Sequence, residues 1–388
     1  MGSSLVAKEN EAVQSAAERG QKAHAELFRE FGNDIQHWAK KSFSTTRDTA
    51  LIRSAQCGRD DLVEILLPHS DVGAVNIFKN TALMAAAQAG SISCVRRLLP
   101  LSDVAAKDII GDTALSLAAA NGHPECMAEL LPFYNESSVN KLNKMGHSLL
   151  MQAAHGRNPK CVEMALAAGG DPKAQNKMGH TALLGVVNWY RQGRHFDAHD
   201  GNIACLTLLL DAGADPLAQD KRGRSALMEA ACHLNSECAK MLLARSDVEA
   251  RDENGNTALI FSARKGGLET LGALLALCDP LASNNKKQTP LGIAVLSERF
   301  EHALMIFDKL RSDPRAEAGE KALARISAKT KAFELAADAQ TNQEELAAAK
   351  RLHQAMAAWA EGLKIGRGVG PASPPLPPST NDRRKPRL

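Results

Sequence analysis

The stretch Thr81-Ala82-Leu83-Met84-Ala85-Ala86-Ala87 decides how this chain folds, because it returns 32 residues later as Thr113-Ala114-Leu115-Ser116-Leu117-Ala118-Ala119. The same phrase begins at Thr49, Thr81, Thr113, Ser148, Thr181, Ser225, Thr257 and Thr289, in steps of 32, 32, 35, 33, 44, 32 and 32 residues. Counted from each hydroxyl, position +2 is leucine in all eight units: Leu51, Leu83, Leu115, Leu150, Leu183, Leu227, Leu259 and Leu291. Positions +5 and +6 are small, most cleanly in Ala86-Ala87, Ala118-Ala119, Ala153-Ala154 and Ala230-Ala231. A second apolar pair follows at +17 and +18, as in Leu66-Leu67, Leu98-Leu99, Leu130-Leu131, Leu242-Leu243 and Leu274-Leu275. A register held over so many returns marks an array of stacked units.

Each position has a physical reading. A hydroxyl before a helical Ala-Leu run is an N-cap, its oxygen accepting a backbone N–H of the first turn. Small residues at +5 and +6 let a neighbouring helix approach closely, and the later leucine pair gives a second helix its buried stripe. Pro68, Pro100 and Pro132 follow that pair and are expected to stop the second helix. Asp or Asn, two variable residues and Gly come next, as in Asp108-Ile109-Ile110-Gly111 and Asp220-Lys221-Arg222-Gly223, a turn that leads to the next cap. The sequence therefore predicts an all-α solenoid of about eight helix-turn-helix units joined by hairpin-like loops.

Outward from the array, residues 1–43 carry Leu27, Phe28, Phe31, Ile35 and Trp38 at helical spacing and read as an N-terminal helical cap. The array itself is expected over 44–310. Residues 311–365 are Ala-rich, with Leu323, Ile326, Phe333, Leu335, Leu346, Leu352, Met356 and Trp359 predicting one or two C-terminal helices, and 366–388 read as a disordered Pro-rich basic tail. In that tail Pro374-Pro375-Leu376-Pro377-Pro378 reads as a linker, without the spaced arginine of a polyproline ligand. Arg383-Arg384-Lys385-Pro386-Arg387 reads as a solubilising terminus or an import signal. The 44-residue step holds 11 extra residues around Trp189-Tyr190-Arg191-Gln192-Gly193-Arg194-His195-Phe196, which should project as a loop.

Composition narrows the function. The 388 residues are 44% apolar and 23% charged, which is a folding composition, and 47 Lys plus Arg against 44 Asp plus Glu leave a balance of +3, too small for a chain-wide nucleic-acid or membrane binder. No basic flank joined to an apolar core opens the first thirty residues, and no apolar stretch approaches the roughly 20 residues of a membrane span. Cys94, Cys126, Cys161, Cys205 and Cys238 share one repeat position, +13 once the insert is subtracted, and read as packing residues in a reducing compartment. No C-x-x-C pair exists, and His195, Asp197, His199 and Asp200 in the insert read as a solvated polar loop, so no metal site and no cofactor are expected. No nucleophile stands beside a base in a recognisable context, and the glycines are spread one per turn, so catalytic residues are not expected either.

The repeat resembles that of the ankyrin family, whose period is about 33 and whose signature is Thr-Pro-Leu-His-x-Ala. Only Thr289-Pro290 keeps the proline, and Met84, Met151 and Met228 stand where the signature has histidine, which removes a side-chain hydrogen bond but leaves cap and packing intact. The resemblance implies a non-catalytic scaffold or adaptor that grips another protein through its loop tips and first-helix surface. By register the candidate partner-binding residues are Ile77, Phe78 and Asn80; Ile109, Ile110 and Asp112; Lys144, Met145 and His147; and Lys177, Met178 and His180. Further along they are Lys221, Arg222 and Arg224, then Glu253, Asn254 and Asn256, with Asn188, Trp189, His155 and His233 on the helices. Early tips are apolar and central ones cationic, which points to a partner with apolar anchors and an acidic stretch. No direct nucleic-acid or membrane contact is expected, and the location implied is cytoplasmic. An alternative is also implied, since the Thr-Ala-Leu-Met units, Ala-rich flanks and basic tail look like ankyrin proteins of host-associated bacteria: an effector secreted into a host cell, acting in its cytoplasm or nucleus.

Overall fold

A computed structural model describes residues 42–43, 47–187, 199–232, 236–311, 329 and 343–368. The N-terminal cap up to residue 41, the centre of the insert with Asn188 and Trp189, His233, most of 312–342 and the tail beyond 368 lie outside the described residues. The chain divides into two compact units, 1–279 with 283–287, and 280–282 with 288–388.

In the first unit the phrase that recurs in the sequence recurs as a helix pair. The pairs are Ala50–Gln56 with Asp60–Leu66, Ala82–Ala89 with Ile92–Leu98, Ala114–Ala120 with Pro124–Leu130, and Leu149–Gly156 with Pro159–Ala167. Ala182–Val187 with His199–Asp211, Ala226–Cys232 with Ser236–Leu243, and Ala258–Lys265 with Leu268–Leu275 follow. First helices pack against first helices in chain order, and second helices against second helices. Most of these helices have seven or eight residues, too few to persist alone in water, so packing against neighbours holds them.

The caps form as expected. Thr49, Thr81, Thr113, Ser148, Thr181 and Ser225 each accept from the N–H three residues on, at 3.2–3.3 Å. Thr257 holds the cap position without that bond. The +2 leucines of this unit are at most 2% exposed, the alanine pairs at +5 and +6 are buried, and Cys94, Cys126, Cys161, Cys205 and Cys238 are all at 0%. Burial pushes up the thiols of Cys94, Cys126, Cys161 and Cys205, Cys126 to about 11 and Cys161 and Cys205 to about 12, so these pack as neutral groups.

Two details differ from the sequence reading. Pro68, Pro100 and Pro132 do not end the helical path. The α-helices stop at Leu66, Leu98 and Leu130, and each proline sits inside a 3-10 turn, Leu67–His69, Leu99–Leu101 and Leu131–Phe133. Proline removes the N–H that the α-ladder needs, yet its fixed φ suits a tightened last turn. The second difference is a two-stranded antiparallel pairing before the first helix, Ser42 opposite Thr49 and Phe43 opposite Asp48.

The second unit contains Pro290–Leu296, Phe300–Leu310 and Gln343–Gly368. Phe300–Leu310 packs on both of the others. Ala348, Ala349, Leu352 and Met356 of the long helix are buried, and the Phe307 and Trp359 rings meet edge to face with centroids 6.0 Å apart. Glu345 Oε2 accepts from the Phe300 N–H at 2.8 Å, and Arg351 pairs with Glu301.

Candidate functional site

The loops between helix pairs are built on one side chain each. Asn76, Asp108, Asn143, Asn176, Asp220 and Asp252 place Oδ1 on the N–H groups two and four residues ahead, at 2.7–3.0 Å. Their own N–H reaches the carbonyl four residues on, as in Asn76 to Asn80 at 3.2 Å and Asp220 to Arg224 at 2.9 Å. Short polar side chains are suited to this self-made turn, which is why Asp or Asn recurs there. The fourth turn residue has positive φ, +84° at Gly146, where a Cβ would stand 2.7 Å from the Lys177 backbone nitrogen. At the first tip Lys79 adopts that conformation instead, with φ 60°.

Neighbouring tips are stitched together. The N–H of Ile109 donates to the Phe78 carbonyl at 2.9 Å, Lys144 to Ile110 at 2.8 Å, Lys221 to Met178 at 2.9 Å, Glu253 to Arg222 at 2.8 Å and Asn285 to Asn254 at 2.9 Å. Side chains add a second, inner row of bonds. Asn76 Nδ2 donates to Asp48 Oδ1 at 2.8 Å, Asn143 Nδ2 and Gln152 Nε2 donate to Asp112 Oδ1 at 2.8 and 2.9 Å, and Asn284 Nδ2 donates to Asn256 Oδ1 at 3.0 Å.

The candidate residues therefore fall into three groups. Ile77, Phe78, Ile109, Ile110, Lys144, Met145, Lys177, Met178, Lys221, Arg222, Glu253 and Asn254 are exposed at the tips. Asn80, His147, His180 and Arg224 are half-buried. Asp112 and Asn256, expected at the surface, are 5% exposed and engaged in the inner row, so they hold tips in place and present no surface of their own. Of the helix positions, His155 is half-buried.

The inner row turns ionic in the middle of the array. His180 Nε2 lies 3.2 Å from Asp220 Oδ2, the Arg224 guanidinium bonds the same oxygen at 3.0 Å, and Arg224 also pairs with the buried Glu229. Burial opposes charge on Asp220, but the Arg224 and Arg222 N–H bonds and the Arg224 charge outweigh it and hold the carboxyl below its ordinary range.

Sequence reasoning missed two things that the geometry makes plain. Val75 and Leu142, each just before a turn Asp or Asn, are 50% and 47% exposed and widen the apolar tip patch. Gln152 and Glu229, at +4 of their first helices, reach back to the residue before a cap. Their shared position in the repeat was the available signal. Away from the tips, a cleft of about 550 Å³ opens beside the short helix Glu136–Val139, lined by Leu131, Tyr134 and Met164 among others. Among the described residues no group of three or more His, Cys, Asp or Glu could hold a metal ion, and no helix is long and apolar enough to cross a membrane.

Paired short helices, Asx-built tips and a buried Leu/Ala seam define a stacked helical-repeat protein. The family model described as "Ankyrin repeats (3 copies)" matches residues 51–141, 115–186, 195–284 and 235–318, more than half of the chain. The chain belongs to the ankyrin-repeat family, whose repeats are in general protein–protein interaction modules. No curated protein matches its sequence.

Proposed function

We propose that the chain is a non-catalytic scaffold or adaptor that holds a partner protein against its tips and the adjoining first-helix surface. The observation that carries this reading is the apolar row Ile77, Phe78, Ile109 and Ile110, 49%, 42%, 41% and 39% exposed on turns whose backbone is fixed by the inter-tip bonds. A packed core would take such side chains inside; held rigidly outside, they favour an interface. The cations Lys144, Lys177, Lys221 and Arg222 follow in chain order and favour a partner with an acidic stretch beside its apolar anchors. The fully buried cysteines support a reducing, cytoplasmic setting.

Replacing Phe78, Ile109 and Ile110 together by Ser tests the placement, with the full chain as bait. Partner capture should be lost while Tm stays within about 2 °C, since exposed substitutions shift stability by only about 0.5 kcal/mol. Undiminished capture would refute it.

A further inference from the structure

The tips sort into two rows of different chemistry. The residue two places after each turn Asp or Asn is apolar in four successive tips, Phe78, Ile110, Met145 and Met178, at 42%, 39%, 45% and 48% exposure. The residue one place after it is a cation in three, Lys144, Lys177 and Lys221, all exposed. The rows are interleaved closely: Lys144 Nζ donates to the Ile109 carbonyl at 2.7 Å, which fixes an ammonium directly beside the isoleucine tip. Further cations continue at Arg222, Lys286 and Lys287, with Glu253 the one exposed carboxylate among these tip residues.

The tip backbone has few N–H groups left to offer a ligand. Within each turn from Asn76 to Asp252, the N–H groups two and four residues on go to the Asx Oδ1, and the third goes to the Asx carbonyl, as Lys79 to Asn76 and Gly179 to Asn176 at 2.9 Å. The first N–H and the second carbonyl are joined from tip to tip at every junction except Met145 to Lys177. A partner strand laid along the tips would find carbonyls but almost no N–H groups with which to pair, and a strand ladder needs both, so strand addition gains little there. A helix, whose backbone bonds are internal, loses nothing on a surface that recognises side chains only.

We propose, building on the function above, that the tip rows receive an acidic amphipathic α-helix. Its apolar stripe lies on Phe78, Ile110, Met145 and Met178, and its Asp and Glu flank runs along Lys144, Lys177 and Lys221. The length fits: the four apolar tips, carried by helices packed about 8–10 Å apart, span about 24–30 Å, the length of about 16–20 helical residues, and the Lys221 tip adds one further spacing. The two methionines supply the soft, adaptable contacts that suit a helix face.

The probe is a displayed library of random peptides of about 20 residues, selected on the immobilised full chain, with each recovered peptide then synthesised and titrated. Recovered sequences should carry apolar residues at i, i+3 or i+4 and i+7 with an acidic flank. A central proline should weaken them by more than about tenfold, because it breaks a helix but not an extended segment. Lys144→Glu with Lys177→Glu, and separately Phe78→Ser with Ile110→Ser, should each weaken them by a similar factor, and only the charge effect should fall with added salt. Peptides that need the tips but tolerate the proline within about twofold, or lack helical periodicity, overturn the helix and leave the tip reading standing. Peptides indifferent to both pairs of tip substitutions overturn the tip reading itself. Recovery of no tip-dependent peptide counts against the helix.

Discussion

Asp108 occupies a position that Asn76, Asn143, Asn176 and Asn284 hold in other units, and its charge is ill matched to its surroundings. Burial, together with the neighbouring Asp112 charge, raises its carboxyl above the ordinary value of 3.8, despite the N–H groups of Asp112, Ile110 and Gly111 that favour the ionised form. One junction back, Asn80 Oδ1 is buried with no hydrogen-bond partner among the described residues. At the equivalent junctions that oxygen is served by an asparagine, Asn76 Nδ2 to Asp48 Oδ1 at 2.8 Å and Asn284 Nδ2 to Asn256 Oδ1 at 3.0 Å. Asp108→Asn should keep the turn and supply the missing donor, a gain of about 1 kcal/mol at pH 7, read as a Tm rise of about 2–4 °C. The sign of the pH dependence follows from the raised value. In the window above 3.8 the folded state holds the proton that the unfolded chain has released, so wild-type stability falls as pH climbs through the folded-state value. Thermal melts should therefore show the variant's advantage at pH 7 shrinking toward pH 4, and a constant or inverted difference would contradict this account. The turn itself was legible, because Asp or Asn before two variable residues and Gly states its own local bonds. The bonds of the inner row that join one unit to the next were not, since their partners lie 28 to 40 residues apart in sequence.

Helix ends show the same division between what is local and what is not. The hydroxyl caps of the first helices were readable because donor and acceptor stand three residues apart. The start of Phe300–Leu310 was not: its N-cap residue Arg299 makes no side-chain cap bond, and the oxygen that serves Phe300 belongs to Glu345, 45 residues on. A carboxylate at a helix N-terminus also meets the positive end of the backbone dipole. The Ala-rich composition and the spacing of Leu352, Met356 and Trp359 announced the long C-terminal helix, but nothing in them named the helix it would cover. Glu345→Ala should remove about 1–2 kcal/mol from the second unit, and Glu345→Gln, which keeps an acceptor, about half of that. Hydrogen exchange read on the amides of 300–310 should accelerate about tenfold in the alanine variant. Unchanged exchange there would show that the bond does not hold this helix.

On the scale of the whole array, one repeated residue type reports on how the core opens. The sequence marked Cys94, Cys126, Cys161, Cys205 and Cys238 as packing residues from their shared register, and all five lie fully buried in successive second helices. What the sequence could not give is the contrast with Cys57 and Cys232, which sit at first-helix ends and are half-buried. Desolvation raises the thiols of Cys94, Cys126, Cys161 and Cys205, the last two to about 12, and raises Cys232 as well, so what sets the five apart is full burial, which denies a reagent access while the unit is folded. A repeat body buries this seam only through neighbouring repeats, so exposing one of these thiols requires parting helices on both sides. Maleimide labelling at pH 8, followed site by site by mass spectrometry, should find Cys57 and Cys232 modified first. The five seam cysteines should lag by at least about a thousandfold, the factor that an opening free energy of about 4 kcal/mol produces. Mild denaturant should accelerate the five strongly and the other two weakly, because only the seam must open to react. If a seam cysteine labels at the rate of Cys57 in native buffer, the second helices at that unit are not packed as described.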